Sequence, residues 1–364
     1  MLKIDSIVAL KSHPAALPVG VGLLVVSLGC LPFVLSAIGT TWVRITNLAI
    51  LYILLSLGLN IVVGFAGLLD LGYIAFYAVG AYVYALLASP HFNLHLPFWA
   101  ILPLGAGVAA LFGVLLGAPT LKLRGDYLAI VTLGFGEIIR IFLNNLASPI
   151  NITNGPMGIA RIDPFHLGAL DFSTRSHVVG LDFSGPIKYY YLLLAVLLAV
   201  IFINVRLQDS RIGRAWEAIR EDEVAARAMG INTINLKLLA FAMGASFAGV
   251  AGGMFAAIQS FVSPESFVLV ESVMVLSMVV LGGMGNIWGV ILGALLLSYV
   301  PEILRYTVEP VQRELFGRTI IEPEVIRMLI FGFALVLIMI LRPGGLWPSA
   351  VRKRELTSRA DVAR

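Results

Sequence analysis

RLQDSRIGRAWEAIREDEVAARAMGINTINLK, residues 206–237, is a long charged and helix-prone stretch with an apolar span on either side. Lipid hydrocarbon offers no hydrogen-bonding partner to a segment this polar. The stretch therefore lies outside the bilayer, and its business is contact with something in water. The runs around it show why. On the ruler of about 20 apolar residues per spanning helix, ten candidates follow one another: 17–38, 46–64, 72–89, 98–118, 127–147, 188–205, 238–259, 269–284, 287–304 and 324–341. The third, eighth and ninth are short or rich in Gly, the places for broken or re-entrant helices; with two of them re-entrant the chain has eight spans and the same parity.

Composition agrees. Of 364 residues, 59% are hydrophobic and 13% charged, against about 25% charged in a soluble domain. The mean hydropathy is +0.95. The shortfall in charge runs along the whole chain, so the fold class is an all-α polytopic membrane protein rather than a soluble domain with one anchor. The 36 glycines suit helices that pack closely in lipid. One cysteine, Cys30, in an apolar run leaves no disulfide framework and no Cys-based metal site. The first apolar run exceeds the 7–15 residues of a signal-peptide core and reads as a retained span.

Lys and Arg set the orientation. With 206–237 in the cytoplasm, alternation places Lys3, Lys11, Lys122, Arg124, the arginines of the loop and the basic tail inside. It leaves Arg44, Arg161, Arg175, Lys188, Arg305, Arg313 and Arg318 outside. Both termini are then cytoplasmic. The division is a cytoplasmic N-terminus 1–16, a transmembrane domain 17–341 and a basic cytoplasmic tail 342–364. Within the membrane domain, 148–187 is a folded extracytoplasmic loop with little helical periodicity, suited to docking.

The motifs of several chemistries are missing. No G-x-x-x-x-G-K-[ST] loop is present for ATP and no G-x-S-x-G elbow for acyl transfer. His91 and His95 share i,i+4 spacing, but Pro90 and Pro97 flank them and no acidic residue lies between, so they read as loop residues. No catalytic or metal site is assigned.

Four places carry what chemistry there is. In the polar loop, Arg211 to Met229 reads as a helix stopped by Gly230. Ala215, Ala218, Ile219, Ala226 and Met229 form an intermittent apolar face. Arg214, Arg220, Glu221, Asp222, Glu223 and Arg227 surround it. Gly64, Gly67 and Gly72 interrupt the apolar pattern around Asp70, either as a helix break or as close packing. Each Gly weakens a helix by about 1 kcal/mol relative to Ala. Asp70 reads as an interfacial carboxylate. Gly282, Gly283, Gly285 and Gly289 around Asn286 mark a tight turn between two spans, or a gate. Glu137 and Arg140, at i,i+3, share a helix face inside a span and can pair there, either holding helices together or with one of them orienting a zwitterionic substrate.

GFAGLLDLGYIAFYAVGAY (64–82), LRGDYLAIVTLGFGEIIRIFLNN (123–145), SRIGRAWEAIREDEVAARAMGI (210–231) and LGGMGNIWGVILGA (281–294) occur in that order. Together they resemble the M-type permease subunit of bacterial high-affinity branched-chain amino acid ABC importers, over roughly 50–345. The loop itself resembles the coupling loop of ABC importer permeases, Glu-Ala-Ala, three residues, Gly. Ala225, Ala226 and Gly230 match it. Glu223 stands one place early, Val224 takes the first position, and the Leu-Pro that ends the broader pattern is absent.

The resemblance implies a permease subunit in the bacterial inner membrane that forms a pathway with a second, homologous permease. Two cytoplasmic ATPases would dock on Arg214, Arg220, Glu221, Asp222, Glu223, Ala225, Ala226 and Gly230, and a periplasmic binding protein would deliver the amino acid. ATP would be used by the partners, with no cofactor on this chain and no nucleic acid. Candidate pathway or helix-break residues are Gly64, Gly67, Asp70, Glu137, Arg140, Gly282, Gly285 and Asn286. Two alternatives stay open: a urea or short-amide importer of the same architecture, and a stand-alone ion-coupled transporter. Gly230→Pro or charge reversal at Glu223 is expected to uncouple ATP hydrolysis from uptake.

Overall fold

The computed structural model describes residues 16–316, apart from 121, 122, 124, 149, 150, 168, 169, 173–175, 179 and 180, together with scattered positions from 325 to 348. The helices in chain order are α1 (Ala16–Ile38), α2 (Thr40–Leu59), α3 (Ile74–Leu87), α4 (Phe98–Thr120), α5 (Asp126–Asn145) and α6 (Gly185–Gln208). They continue as α7 (Arg211–Glu221), α8 (Glu223–Ala228), α9 (Thr233–Gln259), α10 (Leu269–Gly282) and α11 (Ile287–Phe316). Among the described residues, seven helical stretches are long and apolar enough to cross a membrane, and Val26–Ile38 and Ile74–Leu87 are shorter apolar helices. The chain is thus a multi-pass membrane protein. Of the ten spans expected from sequence, seven fall on these long helices, while 17–38 and 72–89 fall on the two shorter ones. The tenth, 324–341, lies largely outside the described residues, as do 1–15 and most of the tail.

Burial ranks the helices. The apolar stretch of α2 and its continuation is the most enclosed, that of α9 the next, and those of α4, α5, α6 and α11 keep one side open. A helix apolar all round belongs in the centre. α9 suits that place because its glycines and alanines let neighbours come to backbone contact. A Cβ at Gly80 of α3 would lie 2.2 Å from the Gly249 carbonyl, and one at Gly252 would lie 2.1 Å from the Tyr77 carbonyl. Tyr73 Oη donates to the Gly244 carbonyl at 2.9 Å across the same seam.

α2 does not end cleanly. It widens into a π-helical turn, Asn60–Phe65, and the chain then runs without helix to α3. The break begins at the end of the bundle carrying α7 and α8. It then climbs along α5, where Leu71 N–H donates to Thr132 Oγ1 at 3.0 Å, and reaches α10, where Ile74 N–H donates to Ser272 Oγ at 3.1 Å. Irregular backbone at this depth is tolerated because it is buried in protein.

At the opposite end, the described residues of 148–187 include five short strands: β1 (Ile159–Ala160), β2 (His166–Leu167), β3 (Leu170–Asp171), β4 (Ser176–Val178) and β5 (Leu181–Phe183). β2 pairs antiparallel with β3, and β4 with β5. β1 pairs antiparallel with β6 (Phe261–Val262), which follows α9, in the register Ile159 to Val262. His95 Nδ1 and Asp163 Oδ2, 2.5 Å apart, and the Phe98 and Phe165 rings, 4.3 Å apart, fasten this cap to the α3–α4 connection.

Candidate coupling helices and the junction beneath them

The polar loop is two helices, not the single one expected over 211–229. Ser210 caps α7 by accepting from Gly213 N–H at 3.2 Å. Asp222 adopts an extended conformation (φ −153°, ψ 110°), and its Oδ1 accepts from Val224 N–H at 2.8 Å and Ala225 N–H at 3.0 Å. An aspartate that satisfies the first amides of a new helix stops the old one. Gly230, at φ +85°, closes α8. Ile231 N–H donates to the Ala226 carbonyl at 3.1 Å and Gly230 N–H to the Arg227 carbonyl at 3.0 Å, the paired bonds of a Schellman end. So short a helix needs both ends satisfied to hold its shape.

The face of α7 that turns inward is Gly213, Trp216 and Ile219. Trp216 is fully buried, and its Nε1–H donates to the Leu236 carbonyl at 2.7 Å. The apolar face read from sequence centred on small residues and passed over this anchor. Met229, on that expected apolar face, is 83% exposed, and with Val224, 67% exposed, it gives α8 an apolar outer surface. Ala225 is exposed beside them and Ala226 is buried. Trp216→Ala is expected to loosen the segment by about 3–5 kcal/mol. Faster proteolytic cleavage within 206–237 of the solubilised protein is the check; an unchanged cleavage rate would mean the indole does not hold the segment.

The charges divide between brace and surface. Glu223 turns inward to Lys237, itself buried, with Oε2 2.7 Å from Nζ, and its Oε1 lies 3.1 Å from Arg227 Nη2. It therefore braces α8 against α9. Charge reversal there would leave Lys237 buried beside a like charge. Glu221 and Asp222 are exposed, and Arg214 Nη1 donates to the Asp209 carbonyl at 2.8 Å at the surface.

Arg220 reaches into the membrane domain. Its Nη1 donates to the Gly64 carbonyl in the π-helical turn. Its stem crosses Gly67, held at φ +70°, where a Cβ would lie 2.7 Å from Arg220 Cγ. Gly64 also packs on Gly285, since a Cβ at Gly64 would lie 2.6 Å from Gly285 N, and Asn60 Oδ1 accepts from Gly285 N–H at 2.9 Å. Arg220 thus ties α7 to the helix break, and Asn60 within that break ties it to the glycine turn between α10 and α11. Beside it a cleft of about 460 Å³ opens between Ala66–Leu69, Leu128 and the α7–α8 corner.

The turn at 283–286 is the tight connection expected. Asn286 Oδ1 accepts from Trp288 N–H at 3.0 Å, and its Nδ2 donates to the Trp347 carbonyl at 3.0 Å, so it caps α11. Gly282 packs on Gly289, where a Cβ would lie 2.3 Å from the carbonyl. Asp70 departs from expectation. It is not a solvent-exposed carboxylate but 1% exposed; Oδ1 accepts from Gly72 N–H at 2.9 Å, and among the described residues Oδ2 has no hydrogen-bond partner. The close fit of the break to α5 buries it, since a Cβ at Gly72 would lie 1.9 Å from the Thr132 carbonyl.

Glu137 and Arg140 pair as expected, with Arg140 Nη2 2.5 Å from Glu137 Oε1. The sequence did not show the third member, Glu265, whose Oε1 is 3.4 Å from Arg140 Nη1. Asn60, Lys237 and Glu271 also went unremarked. Glu271 Oε2 accepts from Tyr52 Oη at 2.9 Å between α10 and α2. Their partners lie more than a hundred residues away or, for Lys237, across a turn, so local spacing carried no signal.

A bundle of apolar helices with a capped, exposed helix pair tied to a break inside the bundle defines a multi-pass membrane protein with a polar segment joined to its interior. The chain belongs to the family described as branched-chain amino acid transport system / permease component, which matches residues 41–339. It is 47% identical over 329 residues to the high-affinity branched-chain amino acid transport system permease protein LivM of Escherichia coli K12, covering 87% of this chain and 72% of the relative. It is 28% identical to the probable branched-chain amino acid transport permease protein LivM of Methanocaldococcus jannaschii over 68% of each chain. It is also 25% identical to the permease protein LivH of Salmonella typhimurium LT2, over 68% of this chain and 79% of the relative. No solved structure matches.

Proposed function

We propose that this chain is the permease subunit of an ATP-driven importer of leucine, isoleucine and valine in the bacterial inner membrane, with both termini in the cytoplasm. It forms the pathway with a second permease of the LivH type, receives substrate from a periplasmic binding protein and docks two cytoplasmic ATPases. ATP is hydrolysed on those partners, and this chain binds no cofactor. The observation that carries the docking is α8: a helix capped at both ends, apolar outside at Val224 and Met229, and braced inside by Glu223 and Lys237. A rigid apolar knob on a polar surface is what a groove on a partner accepts. The substrate follows from the names of the relatives.

Val224→Asp combined with Met229→Asp tests it. Loss of a hot spot costs about 2 kcal/mol or more, roughly thirtyfold in affinity. The ATPases are expected to drop out of co-purification with tagged protein while the second permease stays, and leucine uptake should fall with them. Normal ATPase recovery would remove α8 from the interface.

A further inference from the structure

Glu137, Arg140 and Glu265 form an ionic group on a surface the isolated chain leaves open, with side chains 40%, 23% and 60% exposed. Glu137 sits near the middle of α5, about 16 Å along the helix from its first residue. Fixed charges at such depth face protein or water, not lipid tails. The group has two carboxylates and one guanidinium, so an anionic charge is left over.

Next to it lies a niche of about 140 Å³, lined by Leu71 and Ile74 from the helix break, Leu133 and Gly136 from α5, and Phe267 and Leu269 at the start of α10. Glu137 is the one charged residue in the lining. At about 30 Å³ for a water-sized group, it has room for four or five such groups, the size of an isobutyl or sec-butyl side chain. Three elements make it: the break, the turn carrying Glu265, and α5.

We propose that this niche and ionic group are a substrate station for an amino acid with a branched apolar side chain. The side chain enters the niche, the α-ammonium faces Glu137 and Glu265, and the α-carboxylate faces Arg140. A zwitterion supplies both signs to a group that presents both, and the uncharged walls select against polar side chains. The niche shares Leu71 and Ile74 with the break that Arg220 holds through Gly64, so the station and the coupling helices lie at the two ends of one short segment. The inference rests on the proposed import of branched-chain amino acids and adds where this chain touches them.

The test uses the complete importer in membrane vesicles with its binding protein. Uptake of leucine and of a diazirine analogue of leucine is measured, and the vesicles are irradiated during ATP-driven uptake for peptide mass spectrometry. Adducts on Leu71, Leu133 or Phe267, displaced by excess leucine, are expected. Leu269→Trp fills the niche and should lower leucine uptake about tenfold, the worth of one misfitting group in an apolar pocket, in a complex that still co-purifies with its partners. Leucine uptake with adducts only elsewhere, or undiminished uptake by Leu269→Trp, overturns the station and leaves the importer standing. Vesicles that import no leucine overturn both.

Discussion

Arg220→Ala should leave the chain inserted and assembled with its partners while ATP-driven uptake falls by about 100-fold. The size follows from the bond lost: a hydrogen bond from a charged group is worth about 1.5–3 kcal/mol, and the state that depends on it is depopulated by the corresponding factor. This bond is the side-chain link from α7 to the Gly64 carbonyl, and the arginine stem also fills the space over Gly67. Docking on α8 moves the bundle only if one arrangement of the junction is favoured over another. Without the guanidinium, α7 can shift while Asn60, Gly64 and Gly285 stay where they are. Arg220→Lys keeps the charge but offers a point donor on a different stem, and should fall between. ATP hydrolysis and uptake measured on the same vesicles are the check. Hydrolysis without uptake is the expected signature, and wild-type uptake would mean force passes by another route.

Residues read by periodicity or spacing were legible; residues read by partner were not. The apolar runs located the helices because about 20 such residues have one reasonable home. Glu137 and Arg140 were legible because i,i+3 neighbours share a face. Asp222 misled because EDE lies among good helix formers, yet its side chain satisfies Val224 and Ala225 N–H instead of continuing α7. Glu223 looked like surface charge because Lys237, its partner, lies beyond the Gly230 turn. Asp70 looked interfacial because the apolar run ends near it, whereas the break carries it back along α5 to Thr132. Glu265 is 125 residues from Arg140, and nothing in either neighbourhood announces the other.

The largest effect on the stability of the helix bundle is expected from Gly252→Val. A Cβ at Gly252 would lie 2.1 Å from the Tyr77 carbonyl and 2.7 Å from Ala81 N, both backbone atoms of α3. No rotamer relieves a clash with backbone, so α9 and α3 must separate. The same seam holds Gly80 against Gly249, and Gly249 against Ala109 and Gly105 of α4, so separation at one point opens contacts among three helices. Overpacking a dense interior costs about 1–3 kcal/mol where side chains can yield, and here they cannot, so the loss should reach or exceed the top of that range. Gly107 is the control. A Cβ there meets nothing within 4 Å, and Ala in place of Gly inside α4 should be neutral or gain up to about 1 kcal/mol. Accumulation in the membrane and the thermal midpoint in detergent separate the two variants. Equal midpoints would mean that α3 and α9 are not in backbone contact, and the bundle would lose the packing that holds the helix break, the ionic group and the niche in one place.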